Sequence, residues 1–277
     1  MNNSQLYTPP PGFYDLPYTY AFNASNLVNG NNYPNQQVYI QGGYGDFGVR
    51  RVVGLNKILA ANGTGSFQLM RASQGVYQSS NPVQAPNSPE LAIVPEEWYP
   101  ETGQIGFDLF GISLPANPAA AQIAFQGSRR LPGSNPLIGY KADPKTFTYK
   151  VTAMLTTLAS ANVPVITYTP IDNYDFLLYN VIILKTNSGS APPPGDGDCM
   201  LWMYDQNQTQ ISNLPILDSF YNGGPGSTYE NGAVVPPLMY RRNTVLEIDF
   251  YSLQTNPAVL PVEITVYLVG RKLYPCE

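Results

Sequence analysis

Apolar and polar residues alternate with period two along much of the second half of the chain. Residues 262–269 (VEITVYLV) set Val262, Ile264, Val266 and Leu268 on one side and Glu263, Thr265 and Tyr267 on the other. Residues 245–251 (VLEIDFY) oppose Leu246, Ile248 and Phe250 to Val245, Glu247, Asp249 and Tyr251. Successive strand side chains point to opposite faces, so each segment predicts a strand with one buried and one wet row, as an antiparallel sandwich needs. Residues 147–154 (FTYKVTAM) alternate in part, 163–168 form a β-branched strand run and 201–204 a further strand, and 176–185 (FLLYNVIILK) is apolar enough for a sandwich interior. Residues 150–161 fit a helical wheel through Met154, Leu155 and Leu158, but their threonines favour strand. Residues 116–125 are the best remaining place for one short helix. With turn signals between the strands, residues 121–277 predict an all-β, antiparallel, jelly-roll-like β-sandwich.

The first 120 residues look different. Proline, glycine and asparagine interrupt them every few positions, as in TPPPGFYDLPYTY and SSNPVQAPNSPE, which forbids long helices and breaks strand ladders. Short β-like pieces survive at 37–41, 49–54 and 66–71. The expectation is a long, irregular Pro/Gly/Asn-rich N-terminal arm over 1–120, ordered by lying along partner subunits. Phe13, Tyr14, Tyr18, Tyr20 and Phe22 would supply its assembly contacts.

Composition narrows the function. Only 12% of the 277 residues are charged against 43% hydrophobic, and there are 21 tyrosines. Such a chain relies on neutral hydrogen-bonding groups and buries surface against neighbours, so a homo-oligomer is expected. A net charge of −5 and a pI near 4.7 give no basic footprint for direct nucleic-acid contact. Basic doublets do occur, among them Arg129-Arg130 and Arg241-Arg242. Each marks a strand end meeting solvent or a carboxylate, or else Arg129 and Arg130 pair with an acidic neighbouring subunit. No apolar run is long enough for a membrane helix, and the N-terminus lacks the features of a secretory signal. Cys199 and Cys276 are too few for a disulfide framework and are expected as free thiols.

The sequence contains no histidine. That removes His-based triads, His-ligated metals and the commonest catalyst near neutral pH. Carboxylate pairs remain: Glu96-Glu97, Asp172 with Asp175, and Asp196 with Asp198. The first suits a solvated loop, the second a turn held by its own side chains. The third, in GDGD, lacks the twelve-residue spacing and closing glutamate of a calcium loop. No catalytic residue, metal ligand or cofactor is expected, and an enzyme is not.

Residues 125–132 (FQGSRRLP) and 269–275 (VGRKLYP) echo one another, each with a glycine, basic residues and a proline exit. Either two strands simply end alike, or the echo marks two strand ends at similar places on the sandwich. The stretch from 122 to 275 also resembles a loose group of tailed-bacteriophage virion structural proteins of minor capsid, decoration or neck type. The resemblance is carried by FQGSRRLPG, the strand opening FTYKV, the turn DNYDFLLYNVII, the polar segment ending ISN at 211–213, Pro236-Pro237-Leu238 and the closing GRKLYP. It implies a virion component assembled in the host cytoplasm, with other virion proteins as partners (major capsid, portal-proximal or tail). It brings no catalytic residues. The alternative is a receptor- or carbohydrate-binding module of a tail or fibre, with Trp98, Tyr99, Trp202 and the 221–229 loop as aromatic platforms.

Overall fold

The computed structural model describes residues 9–28, 30–57, 66–73, 76–77, 83–85, 91–113, 119–158, 163–171, 173–187, 199–205, 210–222, 232–253 and 259–276. Among them the chain is built from antiparallel strands and a single helical turn.

The N-terminal strands are β1 (Phe13–Leu27), β2 (Asn32–Tyr39), β3 (Asp46–Lys57), β4 (Ser66–Ser73), β5 (Val76–Tyr77), β6 (Val83–Ala85), β7 (Leu91–Tyr99), β8 (Gln104–Ser113) and β9 (Ala119–Pro132). They form two sheets, ordered β1-β9-β3-β7 and β2-β8-β4-β5, with β6 also on β4. The C-terminal strands are β10 (Tyr140–Ala142), β11 (Phe147–Leu155), β12 (Val165–Pro170), β13 (Asp175–Asn187), β14 (Cys199–Asp205), β15 (Ile216–Leu217), β16 (Ala233–Tyr240), β17 (Val245–Ser252) and β18 (Val262–Pro275), with α1 at Ser219–Asn222. Their sheets are β18-β13-β16, with β10 and β11 both on the free side of β18, and β12-β17-β14-β15. Strands β1, β9, β3 and β7 thus answer to β11, β18, β13 and β16, and β2, β8, β4 and β5 to β12, β17, β14 and β15. The chain therefore holds two sandwiches of the same jelly-roll strand order, joined through residues 133–139.

This corrects the expectation of an arm. The described residues between 13 and 132 build a sandwich with its own core, in which Tyr18, Tyr20, Phe47, Phe107, Ile123 and Phe125 are buried. The prolines that suggested irregularity are placed where a strand tolerates them. Pro17, Pro34 and Pro95 lie in β1, β2 and β7, all sheet edges, and Pro132 ends β9. An edge residue can lack an N–H without breaking a ladder. Of the segment 116–125, the described part, residues 119–125, is no helix either. From Ala119 they are strand, with Ala121, Ile123 and Phe125 facing the N-terminal core and Gln122 and Ala124 facing the other sandwich.

The C-terminal core is the larger. Val151, Ile183, Leu201, Leu246, Ile248, Phe250, Ile264 and Val266 fill it, from the rows that the period-two pattern marks as inward. Burying each such side chain contributes about 1.5–3 kcal/mol. At one end Lys185 and Asp218 form a buried ion pair between the two sheets. Cys199 is buried and Cys276 exposed, and neither forms a disulfide.

Candidate functional site: a repeated cluster and an open sheet face

The sequence echo lies on β9 and β18, which are corresponding strands. Gly127 pairs with Tyr18 of β1 and Val49 of β3, while Gly270 pairs with Phe147 of β11 and Leu178 of β13. Next to each glycine the partner strand bulges by one residue, at Arg50 in β3 and at Tyr179 in β13. A methyl group on Gly127 would fall 1.8 Å from the Gly48 carbonyl oxygen, and one on Gly270 2.1 Å from that of Leu177. Both glycines are therefore required by the close approach at a bulge.

Aligning these glycines brings the rest of the strands into register. Tyr18, Tyr20 and Phe47 of the first sandwich correspond to Phe147, Tyr149 and Phe176 of the second. Their rings meet edge to face with nearly identical spacing: 4.8 Å for Tyr18–Tyr20 and 5.0 Å for Phe147–Tyr149, then 4.8 Å for Tyr20–Phe47 and 5.0 Å for Tyr149–Phe176. Each trio carries a cation between two aromatic faces. Arg129 lies 3.1 Å over Tyr18 and 4.2 Å from Tyr44; Lys272 lies 4.3 Å over Phe147 and 4.7 Å from Tyr174. Ring quadrupoles attract the cations there without a carboxylate. Arg129 also donates to the Tyr20 hydroxyl at 3.0 Å and to Gln41 Oε1 at 3.1 Å. Burial raises the pKa of the Tyr18 hydroxyl in spite of the guanidinium beside it.

Most residues expected to touch other subunits are thus used inside the chain. Tyr18, Tyr20 and Arg129 are buried in its own core. Arg130 pairs with Asp15 at 3.1 Å and stacks 3.7 Å over Trp98. Phe22 packs on Phe107 at 5.2 Å, Tyr14 is half-buried, and Phe13 stays exposed. The sequence marked these residues as special but could not tell contacts within the chain from contacts between chains.

The two sandwiches meet mostly through neutral groups. The backbone of Thr19 in β1 pairs with 211–213: its N–H donates to Ile211 O at 2.9 Å, and its carbonyl accepts from Asn213 N–H at 3.3 Å. The Asn213 amide then bonds both backbone groups of Ala21, at 2.6 and 3.1 Å. Gln122, fully buried, donates to Pro215 O at 2.9 Å and accepts from Leu217 N–H at 3.0 Å. Gln126 donates to Ala233 O at 3.0 Å. Arg51 lies over the Phe220 ring. Between these polar anchors Ala21, Val53 and Ala124 join the C-terminal core. A chain so poor in charge keeps its amides for this joint, and the ISN segment acts as its clip.

The acidic candidates have structural partners. Glu96 pairs with the bulged Arg50, and burial raises its pKa although that arginine pulls the other way. Glu97 accepts from the Tyr99 hydroxyl at 2.7 Å. Asp175 binds Arg241 and the Arg242 backbone. Asp172, Asp196 and Asp198 lie outside the described residues, as does most of the 221–229 loop. Among the described residues no group of three or more His, Cys, Asp or Glu is placed to hold a metal. No helix of the described residues is long and apolar enough to cross a membrane.

One acidic cluster was not foreseen. The Tyr204 hydroxyl lies 2.6 Å from Glu247 Oε1 and 2.9 Å from Asp249 Oδ2. Tyr204 sits across from Glu247, and Trp202 across from Asp249, on the side of β14 and β17 away from the core. Alternation placed Glu247 and Asp249 on that face, yet Asp249 is only 5% exposed. Trp202 is half-buried edge-on to Tyr204, and its indole N–H is spent on Ser212 O at 3.1 Å. Its ring packs against the C-terminal core cluster. Among the described residues Tyr168 is the one well-exposed ring of this face, at 61%.

No family model matches the chain, and no curated protein does. Among solved structures it is similar to the STIV major capsid protein, at 11% identity over 92% of this chain and 96% of that one, with a TM-score of 0.26. PNGase F from Flavobacterium meningosepticum is similar at 9% identity, 91% and 96% coverage and a TM-score of 0.20. The tandem CBM22 domains of Paenibacillus barcinonensis Xyn10C give 7% identity, 97% and 94% coverage and 0.15. Superpositions this loose carry no functional argument, which leaves the chain's own topology to supply one.

Proposed function

We propose that this chain is a non-catalytic structural component of a virion, associated with the capsid shell. The observation that carries the reading is the repeated jelly roll. One chain holds two sandwiches of the same strand order, fixed to each other by a buried neutral joint. Jelly rolls recur in viral capsids, lectins and cupins, so the fold alone is permissive. What favours the shell over the other two is where the polar chemistry goes. Among the described residues, Glu96, Glu97 and Asp175 and the strand-end Arg129, Arg130 and Arg241 are engaged with structural partners inside the chain, while a broad sheet face is left uncovered. The bacteriophage assignment is the further step implied by the resemblance of residues 122–275. The alternative of a receptor- or carbohydrate-binding module has Tyr168 in its favour, as an exposed ring opposite Glu247.

Mass spectrometry of gradient-purified particles from the source of this sequence tests the proposal. The chain should co-purify with the shell in many copies per particle. A chain that is absent from particles and binds glycans on an array would overturn the shell reading in favour of the module.

A further inference from the structure

Correspondence between the sandwiches exposes an asymmetry. The outer face of the first β1-β9-β3 layer is covered: Ala21, Val53 and Ala124 are all buried, and Ala124 is fully so. The strand register places Lys150, Ile182 and Tyr267 at the same three points of the second sandwich. There the face is open. Ile182 is 39% exposed, and its neighbours Leu184 and Met154 are 52% and 43% exposed. Thr19, buried under the 211–213 clip, has Thr148 as its exposed counterpart. The open face is three strands wide, and only Lys150 and Glu263 place charge in its central rows.

We propose that this outer face of β11, β18 and β13 seats a second copy of the chain, which covers it with its N-terminal sandwich. The inference rests on the shell reading and names its partner and surface. The molecule already contains the contact once: the edge strand β16 of the C-terminal sandwich leans on β1 beneath the buried face. In the other sandwich β7 is the edge strand corresponding to β16, and β11 corresponds to β1. Repeating the internal contact between chains therefore brings β7 of one copy beside β11 of the next. Ile182, Leu184 and Tyr267 lose water in the process. Such a contact is head to tail, because the two surfaces differ, so it either closes a ring or runs on as a filament.

The test uses the full chain. Light scattering coupled to size exclusion should give a mass that is a multiple of the chain. The double substitution Ile182→Asp with Leu184→Asp should weaken self-association by roughly a hundredfold. At concentrations low enough for both to be monomeric, its thermal midpoint should stay close to the parent's, since both side chains are exposed in the single chain. A photo-crosslinker at Lys150 of β11, in a mixture of isotopically light and heavy chains, should yield intermolecular products with residues 91–99. This readout needs no destabilised variant. Products joining position 150 to the same face of the partner would overturn the inference, as would a monomeric parent or oligomers indifferent to the double substitution. Those results leave the shell reading standing if the chain is still recovered in particles. Absence from particles is what ends that reading.

Discussion

Asp46 and Asp175 do the same work in the two sandwiches. Asp46 Oδ1 accepts the Glu101 backbone N–H at 3.0 Å, and Asp175 Oδ1 accepts that of Arg242 at 2.7 Å. The two carboxylates open the corresponding strands β3 and β13, and each ties down a turn, from β7 to β8 in the first sandwich and from β16 to β17 in the second. The turns agree in detail: Gly103 N–H donates to Pro100 O and Thr244 N–H to Arg241 O, with Thr102 and Asn243 at φ 64° and 63°. A carboxylate satisfying a turn N–H contributes more than a neutral acceptor would.

Replacing either aspartate by alanine should therefore destabilise the protein. The loss should be about 1 kcal/mol for exposed Asp46 and about 2 kcal/mol for buried Asp175. Burial pushes the Asp175 carboxyl up, but bonds from the Arg242 backbone, Tyr140 and Arg241 outweigh it, and the pKa is lowered. A lowered folded-state pKa gives stability that is present above the ordinary carboxylate range and lost as pH falls through the folded value. Urea titrations should show Asp175→Asn trailing the parent at pH 7, with the gap closing as pH drops below about 4. A pH-independent gap would mean that the charge contributes nothing.

Gly127→Ala and Gly270→Ala should each be among the most damaging single substitutions in the chain. The added methyl would meet rigid backbone oxygens, at 1.8 and 2.1 Å, so the bulge has to open. A loss of roughly 3–5 kcal/mol is expected at either position by chemical denaturation, against under about 1 kcal/mol for alanine at exposed Gly42. Near-parental stability of either variant would show that the two bulges are dispensable.

The acidic cluster on β17 predicts the opposite sign. Burial raises the Asp249 pKa and the Glu247 charge adds to it, while the Tyr204 and Tyr251 hydroxyls pull it down. Its Oδ1 is buried without a hydrogen-bond partner. A raised carboxyl favours folding while protonated, and that stability is lost as pH rises through the folded value. Asp249→Asn should therefore raise the thermal midpoint at pH 7–8 by an increment that vanishes below about pH 4. If the variant is less stable at pH 8, the ionised carboxylate has a role that these contacts do not reveal.

The second sandwich was legible because its strands alternate cleanly: residues 245–251 and 262–269 each bury the row expected. The first was obscured by its prolines. Pro17, Pro34 and Pro95 read as breaks in an arm, because a sequence does not say which strands will lie at an edge. The echo between 125–132 and 269–275 was visible, but its meaning was not. Only the strand pairing reveals that Tyr18-Thr19-Tyr20 answers Phe147-Thr148-Tyr149, and Asp46-Phe47 answers Asp175-Phe176, since identities this sparse need a structural register to align them. The joint was hidden for another reason. Gln122, Gln126 and Asn213 carry no signal as single residues, and a neutral amide looks the same whether it faces water or a neighbour.

The short connection 133–139 has a kinetic meaning. Because both sandwiches belong to one polypeptide, the joint between them forms at an effective concentration fixed by that tether rather than by how many molecules are present. A surface that meets its mate in every folding event needs little intrinsic grip, and residues as small as Ala21 and Ala124 suffice there. A surface that must find its mate by diffusion has no such help, which gives a reason for the larger side chains at Ile182 and Tyr267.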